Sequence, residues 1–354
     1  YEIRLSLVGS EMCIRDSLCT VVGIQAAVTF PTLAIGAQAP NFSLPGADGN
    51  NHTLAAYASA KVLVIVFTCN HCPTAQAYED RIQAIVNDYA GKSLQLIAIN
   101  PNHNKNLRPD ELGYTDLADS LPEMKLRVAD KKYTYPYLDD GETQAVAMQY
   151  GPRVTPHTFV FDAERKLRYD GRIDDSERLS LATTKDLRDA IDAVLADKEV
   201  AVPHTKVAGC STKWNGKEAD VKEAIAKLDA EPVTLELADA TALTAIRANA
   251  TERLRIVTVW NTTCAPCVRE LSEFVTLNRQ YRKRGFDVIT ISTNYPDEKE
   301  AALKVLVEHK VATTNVLFAS TEKFKLMEAF DPQWEGETPY TLLIAPGGKV
   351  LNRW

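Results

Sequence analysis

The feature that most constrains this sequence is a pattern that occurs twice: an apolar run, a Cys-x-x-Cys motif and an amphipathic segment. The first copy begins with six consecutive apolar residues, 62–67, most of them β-branched. Such a run is typical of a parallel strand that is buried on both faces. Cys69 and Cys72 follow, and residues 75–90 then carry apolar side chains at helical spacing up to Gly91. The order predicts a strand, a cysteine pair and a helix.

The second copy has the same order and nearly the same spacing. Residues 255–260 form its apolar run, Cys264 and Cys267 follow, and residues 268–285 have helical periodicity. A diverged internal repeat of this kind predicts two units with one plan. In each copy a second buried strand comes next, at residues 94–100 and 287–293.

Each copy also contains a later Thr-Pro pair that opens a predicted hairpin. Thr155-Pro156 stands in the first half and Thr338-Pro339 in the second, each directly before an apolar run. A strand–helix–strand unit followed by a hairpin predicts an α/β fold with mixed strand directions.

Two cysteines three residues apart in the first turn of a helix suit disulfide exchange. The unpaired N–H groups and the dipole at a helix N-terminus favour the thiolate, which is the attacking species in exchange. We therefore expect Cys69 and Cys264 to be exposed nucleophiles, and Cys72 and Cys267 to be buried resolving thiols. A pair sequestered in the interior would contradict this interpretation for its half.

The residues between the cysteines differ in the two motifs. The first motif holds Asn70 and His71, whereas the second holds Ala265 and Pro266. A cationic His71 beside a thiolate stabilises the reduced form and makes the disulfide more oxidising. The first pair is therefore predicted to be more oxidising than the second.

Glu270 lies three residues after Cys267, on the same side of the predicted helix. It is placed to accept the proton of the resolving thiol. The alternative is a solvated surface charge, because glutamate side chains are usually exposed. The corresponding residue of the first half, Ala75, offers no such group.

The Thr-Pro pairs are candidates for substrate binding. Only X–Pro bonds adopt the cis form at modest cost, and a cis turn facing the cysteines presents backbone groups to a bound peptide. We expect Thr155-Pro156 and Thr338-Pro339 to be cis and to serve this role. An ordinary trans proline at a strand start is the alternative.

Together these features resemble the thioredoxin fold, present twice. Residues 36–198, which open with GAQAPNFSLPGADGNNHTL, are similar to redoxins of the alkyl hydroperoxide reductase/thiol-specific antioxidant (AhpC/TSA) superfamily. Residues 232–354, with TVWNTTCAPCVRE, resemble extracytoplasmic thiol–disulfide reductases of the cytochrome-maturation type, which have a Glu at the position of Glu270. The resemblance implies two central mixed sheets flanked by helices, and a thiol–disulfide oxidoreductase.

Two other functions remain open. The first is a thiol-dependent peroxidase, although Thr68 adjoins Cys69 here, whereas peroxiredoxins have a T-x-x-C motif. The second is a copper carrier, because Cys69, Cys72 and His157 resemble the ligands of copper-binding thioredoxin-fold proteins with one residue less between the cysteines. The oxidoreductase interpretation needs neither a resident metal nor a dissociable cofactor.

The remaining segments are interpreted from their composition. Residues 1–17 resemble a translated sequencing adapter, and residues 18–35 are apolar and nearly uncharged, as in the remnant of an export signal. Residues 199–231 are predicted to be a linker with one short helix; its Cys210 is either an unpaired thiol or a relay between the two sites. The second unit lacks a counterpart of the helix predicted at 184–197, which suggests a truncated copy.

Length and charge limit the possible partners. The 354 residues fit two domains, and the net charge of −7 without a basic tract argues against a nucleic-acid ligand. We expect an extracytoplasmic, periplasmic enzyme of cell redox homeostasis with antioxidant activity. Its expected partners are protein or small-molecule thiols and disulfides, and an upstream reductant in the membrane.

Overall fold

The computed structural model describes residues 30–112 and 117–354. The segment interpreted as an adapter, 1–17, and most of the predicted signal remnant, 18–35, lie outside these ranges. Within the described residues, no helix has the length and apolar character needed to cross a membrane.

The first half contains eight strands and four α-helices among its described residues, in an alternating order. The elements are β1 (Ser43–Pro45), β2 (Asn51–Thr53), β3 (Val62–Phe67), α1 (Pro73–Asp88), β4 (Leu94–Asn100), α2 (Leu121–Lys131), β5 (Tyr137–Asp139), α3 (Ala145–Tyr150), β6 (Val154–Thr155), β7 (His157–Phe161), β8 (Leu167–Gly171) and α4 (Asp186–Leu195).

The first sheet is centred on β3 and has the order β5-β4-β3-β7-β8. β3 pairs in parallel with β4 and antiparallel with β7. Every residue of β3 is buried, because Val62, Val64 and Val66 enter one core cluster while the alternate side chains enter the cluster on the opposite face. Helices therefore cover both sides of the strand that leads to Cys69.

The rest of the chain repeats this plan around a second sheet. After β9 (Cys210–Ser211) and α5 (Glu218–Asp229) of the connecting segment, the elements are β10 (Glu236–Ala238), α6 (Ala240–Ala248), β11 (Leu254–Trp260), α7 (Ala265–Tyr281), β12 (Phe286–Ser292), α8 (Lys299–Glu308), β13 (Thr314–Phe318), α9 (Lys323–Phe330), β14 (Tyr340–Ile344) and β15 (Val350–Arg353).

The second sheet has the order β10-β13-β12-β11-β14-β15, with β11 in the position that β3 has in the first sheet. β11 pairs in parallel with β12 and antiparallel with β14, and β14 forms a hairpin with β15. The predicted fold class, two mixed sheets flanked by helices, is confirmed.

Part of the segment predicted to be a linker packs on the first half. His204 bridges to Asp170 of β8, and β9 pairs antiparallel with β6. Trp214 is buried in one of the core clusters of the first sheet. The connection between the two sheets is thus structured where it passes the first cysteine pair, and α5 supplies the short helix expected there.

The core position of β3 makes a stability prediction. Leu63→Ala removes a fully buried leucine and should lower the free energy of unfolding by about 2–5 kcal/mol. Leu126→Ala, the same change at a side chain that is 59% exposed, should alter it by no more than about 0.5 kcal/mol. Urea unfolding followed by circular dichroism checks both values, and equal effects would contradict the assigned core.

Candidate functional site

The second Cys-x-x-Cys motif lies at the N-terminus of α7. Cys264 is the N-cap, its Sγ accepts the Cys267 N–H at 3.3 Å, and Pro266 stands in the first turn. The two cysteines form a disulfide bond; Cys264 is half-buried and Cys267 is buried. This is the geometry expected for an outer attacking sulfur and an inner resolving sulfur.

Thr338 and Pro339 lie at the same edge of the second sheet. The peptide bond between them is cis, and both residues are only half-buried. Tyr340 pairs with Val259, so the preceding proline lies at the end of β11 that leads into the cysteine motif. The backbone beside this disulfide is therefore accessible to a partner.

Glu270 lies within the first half of α7, three residues after Cys267, and its side chain is half-buried. Its place on the helix is the one that the sequence predicts. Its role in proton transfer stays a prediction.

The first motif has a different geometry. Helix α1 begins at Pro73, so Cys72 is its N-cap and Cys69 lies in the loop before the helix. Both cysteines are buried free thiols, with Cys69 only 2% exposed. The expectation of an exposed Cys69 within a first helical turn was therefore wrong for this half.

The position of the proline explains the difference between the motifs. Proline suits the first turn of a helix because it lacks the N–H that a helix start leaves unpaired, and its φ is already helical. Pro73 follows the second cysteine of its motif, whereas Pro266 precedes the second cysteine of the other. The first helix accordingly begins three residues later relative to its motif.

The loop of the first motif is held by a buried carboxylate that the sequence analysis missed. Asp119 Oδ1 accepts the N–H groups of Asn70 and His71 at 2.9 and 3.1 Å, and Oδ2 binds His71 Nδ1 at 2.6 Å. Asn102 donates a further hydrogen bond to Oδ2. No local pattern indicates this, because Asp119 stands 48 residues after His71 in the chain.

The Asp119–His71 pair favours the charged form of each member. Burial alone would raise the pKa of Asp119, but the charge and hydrogen bonds of His71 hold it below its ordinary value. Burial would likewise lower the pKa of His71, and the facing Asp119 carboxylate raises it instead. A ring nitrogen of His71 lies within 4.8 Å of Cys69 Sγ, in surroundings that favour the protonated imidazole.

Hydrogen bonds make Cys72 the acidic sulfur of the first motif. The side chains of Cys210 and Cys69 lower the pKa of the Cys72 thiol, and the backbone N–H of Ala75 adds to this at 3.4 Å. Burial raises the pKa of Cys69, whose Sγ contacts Thr155 Oγ1 at 3.1 Å. The predicted assignment, with Cys69 as the activated thiol, is reversed in this arrangement.

Thr155 and Pro156, the candidate substrate-binding pair, are joined by a cis bond but are covered. Cys210 of β9 pairs with Thr155 in antiparallel register, and Cys72 Sγ donates to the Thr155 carbonyl at 3.2 Å. A Cβ on Gly209 would overlap that carbonyl, which explains the glycine at this close approach. The edge that is accessible in the second half is thus occupied in the first.

The first site is a poor fit for a metal ion. Cys69, His71 and Asp119 offer ligand atoms within 4.8 Å of one another, but both oxygens of Asp119 and one ring nitrogen of His71 already make hydrogen bonds. His157, the third ligand expected for a copper carrier, accepts the N–H of Arg153 and faces Asp170 at 3.5 Å. His71 Nε2 has no hydrogen-bond partner among the described residues.

Comparison with known proteins places both halves in one family. The sequence profile described as "AhpC/TSA family" matches residues 35–170 and again residues 229–353. The chain belongs to the AhpC/TSA family. The resemblance inferred from the sequence is confirmed, and family membership supports an oxidoreductase.

Individual relatives match parts of this chain. Two Mycobacterium tuberculosis proteins, each named "Putative peroxiredoxin", are 31% identical over 140 residues, which cover 38% of this chain and 82% of theirs. The solved structure of a hypothetical protein from Sinorhizobium meliloti is 34% identical with a TM-score of 0.47, over 53% of this chain and 98% of that one. A thiol-disulfide oxidoreductase from Bacteroides fragilis is 16% identical with a TM-score of 0.32, over 41% of this chain and 95% of that one.

The Asp119–His71 pair makes a pH-dependent prediction. Asp119→Asn should lower the pKa of His71 below its ordinary 6.5, because the main interaction that opposes the effect of burial is then lost, and should destabilise the fold by about 3–5 kcal/mol near pH 5. The raised pKa of His71 contributes stability below pH 6.5 that is lost as the pH rises through the folded value. The lowered pKa of Asp119 contributes stability above pH 3.8 that is lost on acidification.

The free-energy difference between wild type and Asp119→Asn is therefore expected to be largest between pH 3.8 and 6.5 and to narrow above that window. Urea unfolding at several pH values and NMR titration of the imidazole measure the two effects. If the difference in unfolding free energy between wild type and Asp119→Asn grows with rising pH, the interaction of Asp119 with His71 is not ionic.

Proposed function

We propose that this protein is a thiol–disulfide oxidoreductase that exchanges disulfides with external partners through Cys264 and Cys267. The observation that carries the proposal is the disulfide at the N-terminus of α7, with a half-buried outer sulfur and a buried inner one. The half-buried cis pair Thr338-Pro339 at the same sheet edge supports it.

The reaction follows from this arrangement. A substrate thiolate attacks the Sγ of Cys264, the disulfide breaks, and Cys267 leaves as a thiolate that takes up a proton. A second substrate thiolate attacks the mixed disulfide, which releases Cys264 as a thiolate. The Cys267 N–H, which faces Cys264 Sγ, stabilises that negative charge. The substrate loses two electrons in the process, and the protein gains them.

Exchange through the first pair is a weaker proposal. Cys69 and Cys72 are buried, so a protein substrate reaches them only after β9 leaves the edge of β6. The raised pKa of His71 and the lowered pKa of Cys72 support the prediction that this pair is the more oxidising one. The reduction potential of the first pair would be measured in Cys264→Ser and that of the second pair in Cys69→Ser. Equal or reversed potentials would contradict the prediction.

We propose an extracytoplasmic location, on the basis of the apolar segment at residues 18–35. Protein or small-molecule thiols and disulfides are the proposed partners, with a membrane reductant upstream. These assignments fit an enzyme that has no need of a dissociable cofactor.

A thiol-dependent peroxidase is the second candidate. The family match and the two mycobacterial relatives named as peroxiredoxins favour it. The lowered pKa of the Cys72 thiol provides a nucleophile of the required kind. Turnover of hydrogen peroxide with a thiol donor would support this candidate, and loss of that turnover in Cys72→Ser would assign it to the first half.

Replacing each cysteine of the second motif should give opposite results. Cys267→Ser removes the resolving thiol, so that a mixed disulfide between Cys264 and glutathione accumulates. Cys264→Ser removes the outer sulfur and should abolish exchange at this site. Mass spectrometry after exposure to glutathione disulfide measures the adduct. An adduct on Cys267 in Cys264→Ser, together with no adduct on Cys264 in Cys267→Ser, would overturn the assignment.

Glu270→Gln tests the proton-transfer role. It should slow exchange at the second site by about 100-fold near neutral pH, the lower end of what a positioned acid–base group contributes. Glu273→Gln is the matched control, because Glu273 is an exposed side chain of the same helix. Rates of glutathione disulfide reduction between pH 6 and 9 would be compared, and an unchanged profile for Glu270→Gln would remove this residue from the reaction.

A further inference from the structure

Three cysteine side chains of the described chain meet beside α1, and Cys72 is the middle one. Cys69 and Cys72 form a small buried cluster with Ala75, and Cys210 packs against it. The backbone N–H of Cys210 donates to Cys72 Sγ at 3.4 Å, which holds the two residues side by side. Cys72 thus has one thiol neighbour within its own motif and another from a strand 138 residues later.

Backbone pairing holds Cys210 in this place. Its strand, β9, is antiparallel to β6 with Cys210 opposite Thr155, and the N–H of Thr212 extends the pairing to the carbonyl of Arg153 at 3.2 Å. Gly209 permits the close approach, since any side chain would overlap the Thr155 carbonyl. Residues on both sides of Cys210 therefore hold it beside Cys72.

Lys213, two residues after the end of β9, anchors this strand to the rest of the first half. Lys213 donates its backbone N–H to Asn102 Oδ1 at 2.8 Å, and its ammonium pairs with Glu111 at 2.6 Å. Its carbonyl accepts the N–H of His103 at 3.1 Å. Cys210 is consequently held from β9 and from Lys213 in a position where its sulfur faces Cys72.

The two sulfurs differ in access and in acidity. Cys72 is fully buried, whereas Cys210 is half-buried and forms the outer side of the pair. The interaction of the two thiols lowers the pKa of Cys72 and raises the pKa of Cys210. The inner sulfur is therefore the more acidic of the two.

We propose that Cys210 is a third redox cysteine of the first site, beside Cys69 and Cys72. It forms a reversible disulfide with Cys72 and is carried on a strand that occupies the substrate edge of the first half. Nothing in this proposal depends on exchange at Cys264 and Cys267. The strand at residues 209–211 takes the place beside Thr155 that an incoming peptide would take, so its cysteine is an internal substitute for a substrate thiol.

The bond forms by two exchanges with a low-molecular-weight disulfide. One of the two protein sulfurs attacks the external disulfide, forms a mixed disulfide and releases one thiol. The other sulfur attacks the protein side of the mixed disulfide, forms the Cys72–Cys210 bond and releases the second thiol. The protein loses two electrons and two protons, and the external disulfide gains both as two thiols.

Peptide mapping of the full chain tests the proposal. The reduced protein is incubated with glutathione disulfide, blocked with an alkylating reagent, and digested without reduction for mass spectrometry. A peptide pair joined through Cys72 and Cys210 is expected in wild type and in Cys69→Ser. In Cys69→Ser it should exceed glutathione adducts of Cys72 by about tenfold or more, because a cysteine packed against Cys72 has an effective concentration far above millimolar glutathione.

A matched control moves the cysteine by one position. In Cys210→Ser/Ser211→Cys the thiol remains in the same strand but points to the opposite side, so the cross-link should fall about tenfold or more. Gly209→Ala should reduce it as well, by displacing β9 from Thr155. Wild-type protein that forms only the Cys69–Cys72 disulfide would overturn the proposal. A cross-link that persists equally in the shifted variant would also overturn it.

Discussion

The site in each half depends on the antiparallel pairing of the central strand with the strand that follows the Thr-Pro turn. β3 pairs with β7 and β11 with β14, and each central strand ends where the cysteine motif begins. This pairing brings residues almost ninety positions apart to one edge of a sheet, as the contact between Cys69 and Thr155 illustrates. The central strands are buried on both faces, which leaves little freedom for the loops that leave them.

One plan nevertheless gives two chemically different sites. In the second half, the helix dipole acts on Cys264, the first sulfur of the motif, and the facing edge is accessible. In the first half, the helix begins after Cys72, a buried carboxylate organises the loop, and β9 covers the edge. The position of one proline and the approach of Cys210 to Cys72 account for most of the difference in which sulfur is activated.

The sequence carried enough information for the fold but only part of the first site. Apolar periodicity predicted the central strands and helices because burial on two faces leaves a local pattern, as at residues 62–67. The same reasoning placed Cys264 and Cys267 correctly at a helix N-terminus. It failed for Cys69, because the cover supplied by Cys210 and the carboxylate of Asp119 come from distant parts of the chain. The start of α1 was readable from Pro73, a signal that the spacing argument overlooked.

The packing of residues 203–215 gives the two halves unequal independence. A fragment that ended near residue 198 would contain all of the first sheet, yet it would leave the free edge of β6 without its partner strand and Asn102 without its bond to Lys213. Among the residues that the structure describes, no strand of the second sheet pairs with a residue before α5. Physically, the first unit therefore extends into the connecting segment, and its natural boundary falls after Trp214 rather than after α4.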